Sequence, residues 1–548
     1  MASFWQHKPE MNGHNDQEKS LENIAKDVSC TTAKAKIEEA NILNGQNEVA
    51  KAFDIYKGIL GKDPMHADAL FGIGTILKKQ KKFDLANQFL SKAIESNPGK
   101  IQALLTRGRI LRLQGMPENA ISDFTEVIAK HPDNFEALIA RGIAFGQTSQ
   151  FDKAIDDFSS AIRVNTNRAE AFYNRGVVYD KLNEFEAAIE DYSITIELNP
   201  YDYKAYNNRG VARRELKCFD AAVKDFDKCI EINSDFAEGY FNKSLTLMYV
   251  GKLREGFELY EYRWRTEHFQ TQVRSFSQAL WLGDEDINGK TILLHSEQGL
   301  GDSIQFCRYI KLFKNFNCKV LMEVEAPLIK LMECLLPKDQ IYEKGISLPN
   351  FDFHCPLMTL PLAFSTNANT IPFPKSYLFA DFEQVKRWHS RFKHTLKTKV
   401  GICWRGNPHH MNDHKRSINL SSIIDLLDES FAWVSLQHDA NKNELELIEG
   451  NANLTHFGSE IGDFAETAAL CESVDAVICV DTSIAHLASA LGKKVFLLLS
   501  DVADARWQVT GCTTPWYQNT TLIRQKNRFD WRPSIRRAKK LVKLQIET

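Results

Sequence analysis

Three polar segments in the second half of the chain contain residue types that bind phosphate or move protons. The first is HSEQGLGDSIQF, residues 295–306, which combines two glycines with an aspartate. The second is CWRGNPHHMNDHKRS, residues 403–417, and the third is VICVDTSIAHLASALGKKVFLLL, residues 477–499. Cationic, hydroxyl and carboxylate side chains in such loops suit the binding of an anion or acid–base chemistry.

In the first segment, a loop with Gly299 and Gly301 leads from a strand into a helix that Asp302 opens and Gln305 continues. Glycines let the backbone approach a ligand, and the N-terminus of a helix favours negative charge. From spacing alone, Asp302 is either a chemical group or a cap of this helix.

The second segment follows a strand and forms a strongly basic loop. Its polar side chains are Arg405, Asn407, Lys415 and Arg416. Arginine offers planar, multi-donor contacts to phosphate, and lysine offers a mobile charge. The alternative is a metal site formed by His409, His410 and His414, but this spacing matches no strong metal template. We therefore expect phosphate binding and no metal.

The third segment places Asp481 at the end of a buried strand. Thr482 and Ser483 then open a helix, and His486 lies on its first turn. Free N–H groups and two hydroxyls would form a diphosphate cradle to which His486 could donate. The alternative is that Asp481 and Thr482 only cap the helix.

Short apolar strands alternate with helices around these segments. The candidate strands are Thr291–His295, Lys319–Glu325, Thr398–Trp404, Phe431–Gln437, Asp475–Asp481 and Lys494–Leu499, and the candidate helices are Asp302–Phe316, Asp463–Val474 and Ser483–Leu491. Alternation of this kind predicts parallel sheets covered on both faces. We expect two doubly wound α/β units, residues 291–390 and 391–548, with ligands in a cleft at the carboxyl ends of their strands.

The first half of the chain is built on a step of 34 residues. Glycines, alanines and aromatic residues recur in phase, at Gly74, Gly108, Gly142, Gly176 and Gly210; at Ala52, Ala86, Ala120, Ala154, Ala188 and Ala222; and at Tyr56, Phe124, Phe158, Tyr192, Phe226 and Tyr260. The small residues allow two helices to approach, and the aromatic is expected to fill the space between neighbouring pairs. This pattern resembles the tetratricopeptide (TPR) repeat and implies an α solenoid of seven helix pairs over residues 33–268.

An asparagine row accompanies the last repeats, at Asn174, Asn208 and Asn242. This half resembles the TPR superhelix of O-GlcNAc transferase, where a similar row lines the groove and holds peptide backbone. The alternative is that asparagine is simply common at this position of the repeat. Residues 269–290 are interpreted as a linker, and residues 1–32 as a disordered segment.

The second half resembles the ADP-heptose heptosyltransferase type of GT-B glycosyltransferase. GLGDSIQF is similar to the first acceptor-side motif of that family, and DTSIAHLASALGKKV to its donor motif, with Ser483 standing where the family has glycine. NDHKRS occupies the place of the basic segment that contacts phosphate. Bacterial proteins that fuse TPRs to this domain resemble the chain further in YEYRWR and PWYQNTTLIRQ.

This resemblance implies an inverting glycosyltransferase that uses a nucleotide-sugar substrate, with no metal and no other cofactor. Asp302 would be the general base, beside an acceptor-side loop with Gly299, Gly301 and Gln305. The diphosphate contacts would be Arg416, Lys415, Thr482, Ser483 and His486, and Gln437 would lie beside the nucleoside.

We expect the repeats to recruit a protein or peptide to this transferase. The alternatives are an inactive interaction scaffold and a transferase acting on an envelope polysaccharide or glycolipid. A net charge of −3 gives no reason to expect nucleic acid as a partner. The polar N-terminus and the absence of long apolar runs predict a cytoplasmic protein without a transmembrane segment, for which peripheral membrane contact stays open.

Overall fold

The computed structural model describes residues 32–270, 273–392, 395–408, 413–501, 503–527 and 530–546. The chain divides into two compact units, one ending at Ala205 and the other beginning at Tyr206. The predicted disordered segment lies outside the described residues except for Thr32. No helix of the described residues is long and apolar enough to cross a membrane.

The first unit consists of antiparallel helix pairs at the predicted step. Its helices are α1 (residues 32–45), α2 (Val49–Leu60), α3 (Ala67–Lys79), α4 (Phe83–Ser96), α5 (Ile101–Leu113), α6 (Pro117–Lys130), α7 (Phe135–Gln147), α8 (Phe151–Val164), α9 (Ala169–Leu182) and α10 (Phe185–Leu198). Helix α11 (Tyr203–Glu215) contains the boundary between the units.

Four glycines of the repeat, Gly108, Gly142, Gly176 and Gly210, lie against the aromatic ring of their own pair, and Gly74 lies against Leu90. A Cβ atom placed on Gly142 would be 2.7 Å from the Phe158 ring. The aromatic also packs between neighbouring pairs, as expected, since Phe124 shares a hydrophobic cluster with Ala140 and Ala144 of the next pair. The ring therefore fills the space that the glycine leaves and reaches the next pair as well.

A ladder of ion pairs, which the sequence analysis missed, also follows the 34-residue step. In three successive repeats, an arginine of the first helix donates two hydrogen bonds to an aspartate of the second helix and one to a hydroxyl of the preceding pair. The sets are Arg107–Asp123–Ser91, Arg141–Asp157–Thr125 and Arg175–Asp191–Ser159, with distances of 2.6–3.1 Å. Because the aspartates are buried, these bonds fix how one pair stacks on the next.

The second unit begins with the last two repeats. After α11 come α12 (Phe219–Ile232), α13 (Ala237–Tyr249), α14 (Leu253–Tyr260), a 3-10 helix at Glu261–Arg265 and α15 (Glu267–Gln270). Met248, Leu253 and Phe257 of these helices belong to the same hydrophobic core as residues of both sheets that follow. The final repeat is therefore part of the α/β body.

The first sheet has five parallel strands. They are β1 (Ala279–Leu280), β2 (Thr291–His295), β3 (Lys319–Val324), β4 (Ile341–Glu343) and β5 (Phe353–Pro356), in the order β1-β5-β2-β3-β4. The helices between and after them are α16 (Leu300–Phe306), a 3-10 helix at Cys307–Asn315, α17 (Ile329–Met332) and α18 (Leu360–Ala363).

The second sheet has six parallel strands. They are β6 (Lys399–Cys403), β7 (Ala432–Ser435), β8 (Leu454–His456), β9 (Ala476–Val480), β10 (Val495–Leu499) and β11 (Thr520–Arg524), in the order β11-β10-β9-β6-β7-β8. The helices around them are α19 (Phe382–Arg391), α20 (Asp413–Arg416), α21 (Lys442–Glu449), α22 (Phe464–Glu472), α23 (Ser483–Leu491) and α24 (Arg532–Ile546). This is the doubly wound order, which reverses between β6 and β9.

The six predicted strands are all present, but their surroundings differ from the prediction at three places. The short strands β1, β4, β5, β8 and β11 were not foreseen, because runs of two to five residues leave little periodicity. Strand β1 lies in the predicted linker yet pairs with β5. Helix α19 lies almost entirely before residue 391, the predicted start of the second α/β unit, yet it packs against α22 beside the second sheet. Trp388 of α19 donates to Glu466 of α22 at 2.9 Å.

The role of the repeat glycine can be tested inside one helix. Gly142 and Gly146 both lie on α7, but a Cβ atom on Gly146 would have no atom within 4 Å. We expect Gly142→Ala to destabilise the first unit by about 1–3 kcal/mol through overpacking on Phe158. Gly146→Ala should be neutral or stabilising by up to about 1 kcal/mol, because alanine is the better helix former. Urea unfolding followed by circular dichroism measures both changes; equal effects would disprove the packing role.

Candidate functional site

A cavity of about 1430 Å³ lies within the second unit, at the carboxyl ends of β2, β6 and β9. Each sheet reverses its strand order there, between β2 and β5 and between β6 and β9. Such switch points open a crevice because the chain leaves neighbouring strands in opposite directions. The three segments singled out in the sequence all contribute to the lining of this cavity.

Asp302 does cap α16, and it also faces the cavity. Its Oδ2 accepts a hydrogen bond from the Gly299 backbone N–H at 3.1 Å. Its Oδ1 lies 2.8 Å from Nη2 of Arg506, an ion pair between the two α/β halves. The atoms are not aligned for a hydrogen bond, so the buried Oδ1 has no hydrogen-bond donor. The cap role is therefore confirmed, but it uses only one carboxylate oxygen.

The two glycines before Asp302 also have structural functions. A Cβ atom on Gly301 would lie 2.9 Å from the imidazole of His486, so this glycine allows α16 to pack against α23. Both glycines line the cavity, and the approach of a ligand to them stays a prediction. Gly299 serves as the N-cap position of α16.

Arg506 is the central cation of the site, and the sequence analysis missed it. Its Nε donates to Asp504 at 2.8 Å and its Nη1 to Gln305 Oε1 at 2.7 Å. Burial lowers the pKa of this guanidinium, but the carboxylates of Asp504, Asp302 and Asp481 raise it well above its usual range. Arg506 is thus a permanent positive charge. An isolated arginine in ADARW carries no sequence signal, because the strands that surround it are distant in sequence.

His486 is a neutral, fully engaged side chain. Its Nε2 lies 3.4 Å from Arg506 Nη1 and its Nδ1 lies 2.9 Å from the Tyr517 hydroxyl. A guanidinium can only donate, so Nε2 accepts and Nδ1 carries the proton. Burial, together with Arg506, Arg308 and Arg416, lowers the pKa of His486 well below its usual range. The expected donation from His486 to a diphosphate is not available in this arrangement.

The N-terminus of α23 is open toward the cavity. Thr482 is its N-cap residue, yet the Thr482 side chain accepts no hydrogen bond from the first turn. The alternative that the Thr482 side chain caps this helix is therefore wrong. Thr482 and Ser483 both line the cavity, and the Thr482 hydroxyl lies 3.9 Å from Cys403 Sγ. Burial and the neighbouring Asp504 raise the pKa of Asp481, which also lines the cavity at the end of β9. Free N–H groups at this position suit an anionic ligand.

Arg405 is turned away from phosphate binding. Its Nε donates to Glu444 at 2.9 Å, and its Nη1 lies 3.0 Å from an oxygen of Asp439. These carboxylates neutralise the guanidinium, and Trp404 adds a hydrogen bond to Glu444 at 2.6 Å. In this arrangement Arg405 fastens the end of β6 to α21, and because it also lines the cavity, its predicted role in donor binding stays a prediction.

The remaining basic residues of the second segment border the cavity. Arg416 Nε lies 3.2 Å from Asp413, and Lys415 Nζ lies 3.5 Å from Glu215 of α11. Asn407 also contributes to the lining. The alternative metal site cannot be judged, since His409 and His410 lie outside the described residues. Within the described residues, no group of three or more metal-binding side chains is present.

Gln437 and Gln305 are both buried, but only Gln437 lines the cavity. Gln437 accepts from the Arg405 backbone N–H at 3.2 Å and donates to Asp439 at 2.7 Å, which orients its amide at the end of β7. Gln305 is fully buried, and its Nε2 has no hydrogen-bond partner in the described structure. Its place in an acceptor-side loop stays a prediction.

The predicted asparagine row makes protein contacts. Asn174 donates to the Glu170 carbonyl of its own helix at 2.8 Å. Asn242 donates to Asn207 at 3.0 Å, and Asn207 donates to Asn208 at 3.2 Å. The bond between Asn242 and Asn207 links two repeats, and the proposed role of the row in a peptide groove stays a prediction.

A buried arginine connects the last repeat to the loop before Asp302. The side chain of Arg263 is 0% exposed, and its Nη2 lies 3.0 Å from Glu297 and 2.9 Å from the Thr359 hydroxyl. Its Nη1 lies 2.6 Å from Glu261. Burial raises the pKa of Glu297 to about 7 even though Arg263 opposes this shift. Glu297 is therefore a buried carboxyl that gains a proton near neutral pH.

The repeats also contact the loop that carries Arg506. The hydroxyl of Tyr249 in α13 donates to the Ala503 carbonyl at 2.5 Å, and Lys217 lies 2.5 Å from Asp501. Phe241 and Leu245, on the same face of α13 as Tyr249, line the cavity with His268. One wall of the site is therefore built by repeat helices.

The raised pKa of Glu297 predicts a pH-dependent stability. The folded state keeps this proton up to about pH 7, whereas an unfolded glutamate loses it near 4.5. Stability should therefore fall as pH rises between these values, by about 3 kcal/mol at most.

Thermal unfolding at pH 5, 6, 7 and 8 tests this for Glu297→Gln, which removes the titration. The wild type should lose stability relative to this variant as pH rises. Glu261→Gln controls for the loss of a contact to Arg263. Parallel curves for wild type and Glu297→Gln would refute the assignment.

Comparison with protein families agrees with this architecture. Tetratricopeptide repeat models match residues 67–100, 105–169, 169–202 and 203–236. The model described as Glycosyltransferase family 9 (heptosyltransferase) matches residues 436–541, which include Gln437, Asp481, His486 and Arg506.

Individual proteins resemble parts of the chain. Protein FlbA of Caulobacter vibrioides is 23% identical over 329 residues, 55% of this chain and 54% of FlbA. The chain thus spans about half the length of this curated relative. A crystal structure of MamA is 30% identical, covers 31% of this chain and 94% of its own, and has a TM-score of 0.29. A tetratricopeptide repeat protein from Parabacteroides merdae is 20% identical, covers 42% and 93%, and has a TM-score of 0.36.

The two resemblances inferred from the sequence are thereby confirmed at the level of domains. The repeats lie in the first half and in the start of the second unit, and the family 9 match covers β8 to β11 of the second sheet and the donor motif. The chain combines tetratricopeptide repeats with a C-terminal glycosyltransferase domain of the family 9 type.

Proposed function

We propose that the second unit transfers a sugar from a nucleoside-diphosphate sugar to a hydroxyl acceptor, with inversion and without a metal ion. The observation that carries this proposal is the open N-terminus of α23 facing the same cavity as the carboxylate of Asp302. One side of the cavity thus suits a leaving diphosphate and the other suits proton removal.

In this mechanism, Asp302 accepts the proton of the acceptor hydroxyl. The acceptor oxygen forms a bond to the anomeric carbon from the face opposite the diphosphate. The bond between that carbon and the phosphate oxygen breaks, and its electron pair leaves with the nucleoside diphosphate. One displacement of this kind inverts the anomeric configuration.

The leaving diphosphate needs compensating positive charge. We assign this role to the N–H groups of α23 and to Arg416, helped by Lys415 at the edge of the cavity. Helix N-termini and fixed cations stabilise developing negative charge, and they do so without reorganisation when they are held in place beforehand. The Thr482 and Ser483 hydroxyls are further donors to phosphate oxygens.

We propose that the acceptor is a protein segment held partly by the repeats. The cavity, at about 1430 Å³, exceeds the roughly 300–1,000 Å³ of ordinary small-molecule pockets. Phe241 and Leu245 of α13 line it together with Asp302. The last repeats would then present the acceptor directly to the base, and the earlier repeats would recruit the rest of that protein.

Nucleotide binding provides the first test. Thermal unfolding with millimolar UDP, GDP, ADP or CMP should show a higher midpoint with at least one nucleotide, because a ligand of the folded state stabilises it. The shift should persist in EDTA if no metal takes part. An unchanged midpoint with every nucleotide would favour the inactive scaffold; a shift abolished by EDTA would contradict the metal-free mechanism.

Substitution of Asp302 by Asn tests the base. Asparagine can still accept the Gly299 N–H, so the helix cap is retained, but it cannot take a proton. We expect kcat to fall by about 10²–10⁴-fold while nucleotide binding is retained. Transfer to co-expressed candidate proteins, followed by intact-mass spectrometry, measures the effect. Wild-type turnover in Asp302→Asn would remove this residue from the base role, and transfer only to glycolipids would disprove the protein acceptor.

A further inference from the structure

We propose that Arg506 is a catalytic residue that leaves Asp302 for the donor diphosphate, so that donor binding activates the base. This inference rests on the proposed function. Arg506 bridges the two α/β halves, and only two of its three guanidinium nitrogens have well-aligned hydrogen-bond partners.

Two of the three guanidinium nitrogens of Arg506 are anchored by good hydrogen bonds. Nε is held by Asp504 at 2.8 Å, and Nη1 is held by Gln305 at 2.7 Å. Nη2 is only in ion-pair contact with Asp302, and no aligned hydrogen bond from it occurs in the described part of the chain. Because the guanidinium is planar and rigid, Nη2 reaches a new acceptor by a tilt of the whole group about its two anchored nitrogens.

The surroundings of Nη2 are suited to a phosphate oxygen. Arg506 Nη1 touches His486, which lies on the first turn of α23, so the guanidinium borders the open N-terminus of that helix. Gln305, which holds Nη1, is fully buried and does not line the cavity, so it acts as an anchor of the guanidinium. A phosphate at this position would satisfy the unaligned Nη2.

The local charge balance favours this exchange. Asp302, Asp481 and Asp504 surround Arg506, and Arg416 is the other cation whose charge acts on Asp481 and Asp504. A diphosphate adds at least two negative charges to a site that already holds three carboxylates. It can bind well only if it competes with Asp302 for the guanidinium.

The exchange has a consequence for Asp302. In the described structure, its Oδ1 faces Nη2 of Arg506 at 2.8 Å. Once Arg506 turns to the diphosphate, this oxygen is free to accept the hydrogen bond of the acceptor hydroxyl and then its proton. Transfer would therefore be ordered, with the donor bound before the acceptor is deprotonated.

A double-mutant cycle on nucleoside-diphosphate binding tests the competition. The probe is whichever of UDP, GDP and ADP gives the largest thermal shift, and its Kd is measured by calorimetry. Arg506→Gln should weaken binding about tenfold or more, since it removes a charge-assisted contact. Asp302→Asn should tighten binding about threefold or more, because it frees Nη2. In the Arg506→Gln background, Asp302→Asn should have no such effect.

Two further variants separate this role from a structural one. Arg506→Lys keeps the charge but loses the planar set of N–H donors, and we expect a Kd between those of the wild type and Arg506→Gln. Arg524→Gln is the matched control: Arg524 donates to the carbonyl of Trp507 at 2.7 Å, so it supports the same loop, but it does not line the cavity. Its Kd should equal that of the wild type.

Each other outcome decides between the two proposals. If the nucleoside diphosphate binds wild type and Arg506→Gln equally, the role of Arg506 is overturned and the transferase proposal stands. If Asp302→Asn tightens binding equally in both backgrounds, the effect is a general one of charge, and the exchange is refuted. If no nucleoside diphosphate binds the wild type, the proposed function itself fails. Because Asp302→Asn leaves Arg506 intact, the tightening remains measurable even if Arg506→Gln misfolds.

Discussion

The buried guanidinium of Arg263 determines where the chemistry of the second unit can take place. Its Nη1 contacts Glu261, and its Nη2 contacts Thr359. Nη2 also contacts Glu297, at the start of the loop that leads to Asp302. A fully buried arginine is very costly without partners, so the end of the last repeat, the loop after β2 and the turn after β5 must meet around it. The helical array and the α/β body are consequently joined by charge as well as by a shared apolar core.

Two other arginines, Arg308 and Arg506, make contacts across the boundary between the α/β halves. Arg308 belongs to the half that carries the first sheet, and it is fully buried. It donates to the carbonyl of Trp516, in the other half, at 2.8 Å. Tyr377, Trp516 and Tyr517 present their ring faces to it. Arg308 is thus saturated by carbonyls and rings, whereas Arg506 has one poorly aligned nitrogen beside an open cavity. The first suits a structural function and the second suits a ligand.

The repeats therefore have two kinds of function in one chain. In the first unit, the ladder of arginine and aspartate fixes the stacking of successive pairs. In the second unit, α11 and α13 lend Glu215, Phe241 and Tyr249 to the wall of the cavity or to its loops. The degenerate seventh repeat contributes Met248, Leu253, Phe257 and Tyr260 to the hydrophobic core of the α/β body.

By itself, the sequence determined the helix pairs, the six principal strands and the loops that carry polar groups. Repeated small residues and continuous apolar runs act locally, through helix packing and strand burial, so they can be recognised from spacing. The ion-pair ladder could also have been found in this way, since Arg107, Arg141 and Arg175 share the step of the glycines.

Only the tertiary structure decided which polar groups are available for chemistry. Arg405 and His486 have suitable residue types at suitable positions, but Glu444 and Tyr517 engage them from elements 31 or more residues away. Arg506 carries no motif, yet the fold places it 2.8 Å from Asp302 across 204 residues of chain. Charge pairing depends on distance in space, and the spacing of residues in the sequence does not show which distant side chain will be the partner. The sequence therefore specified the loops, and the fold selected the residues within them.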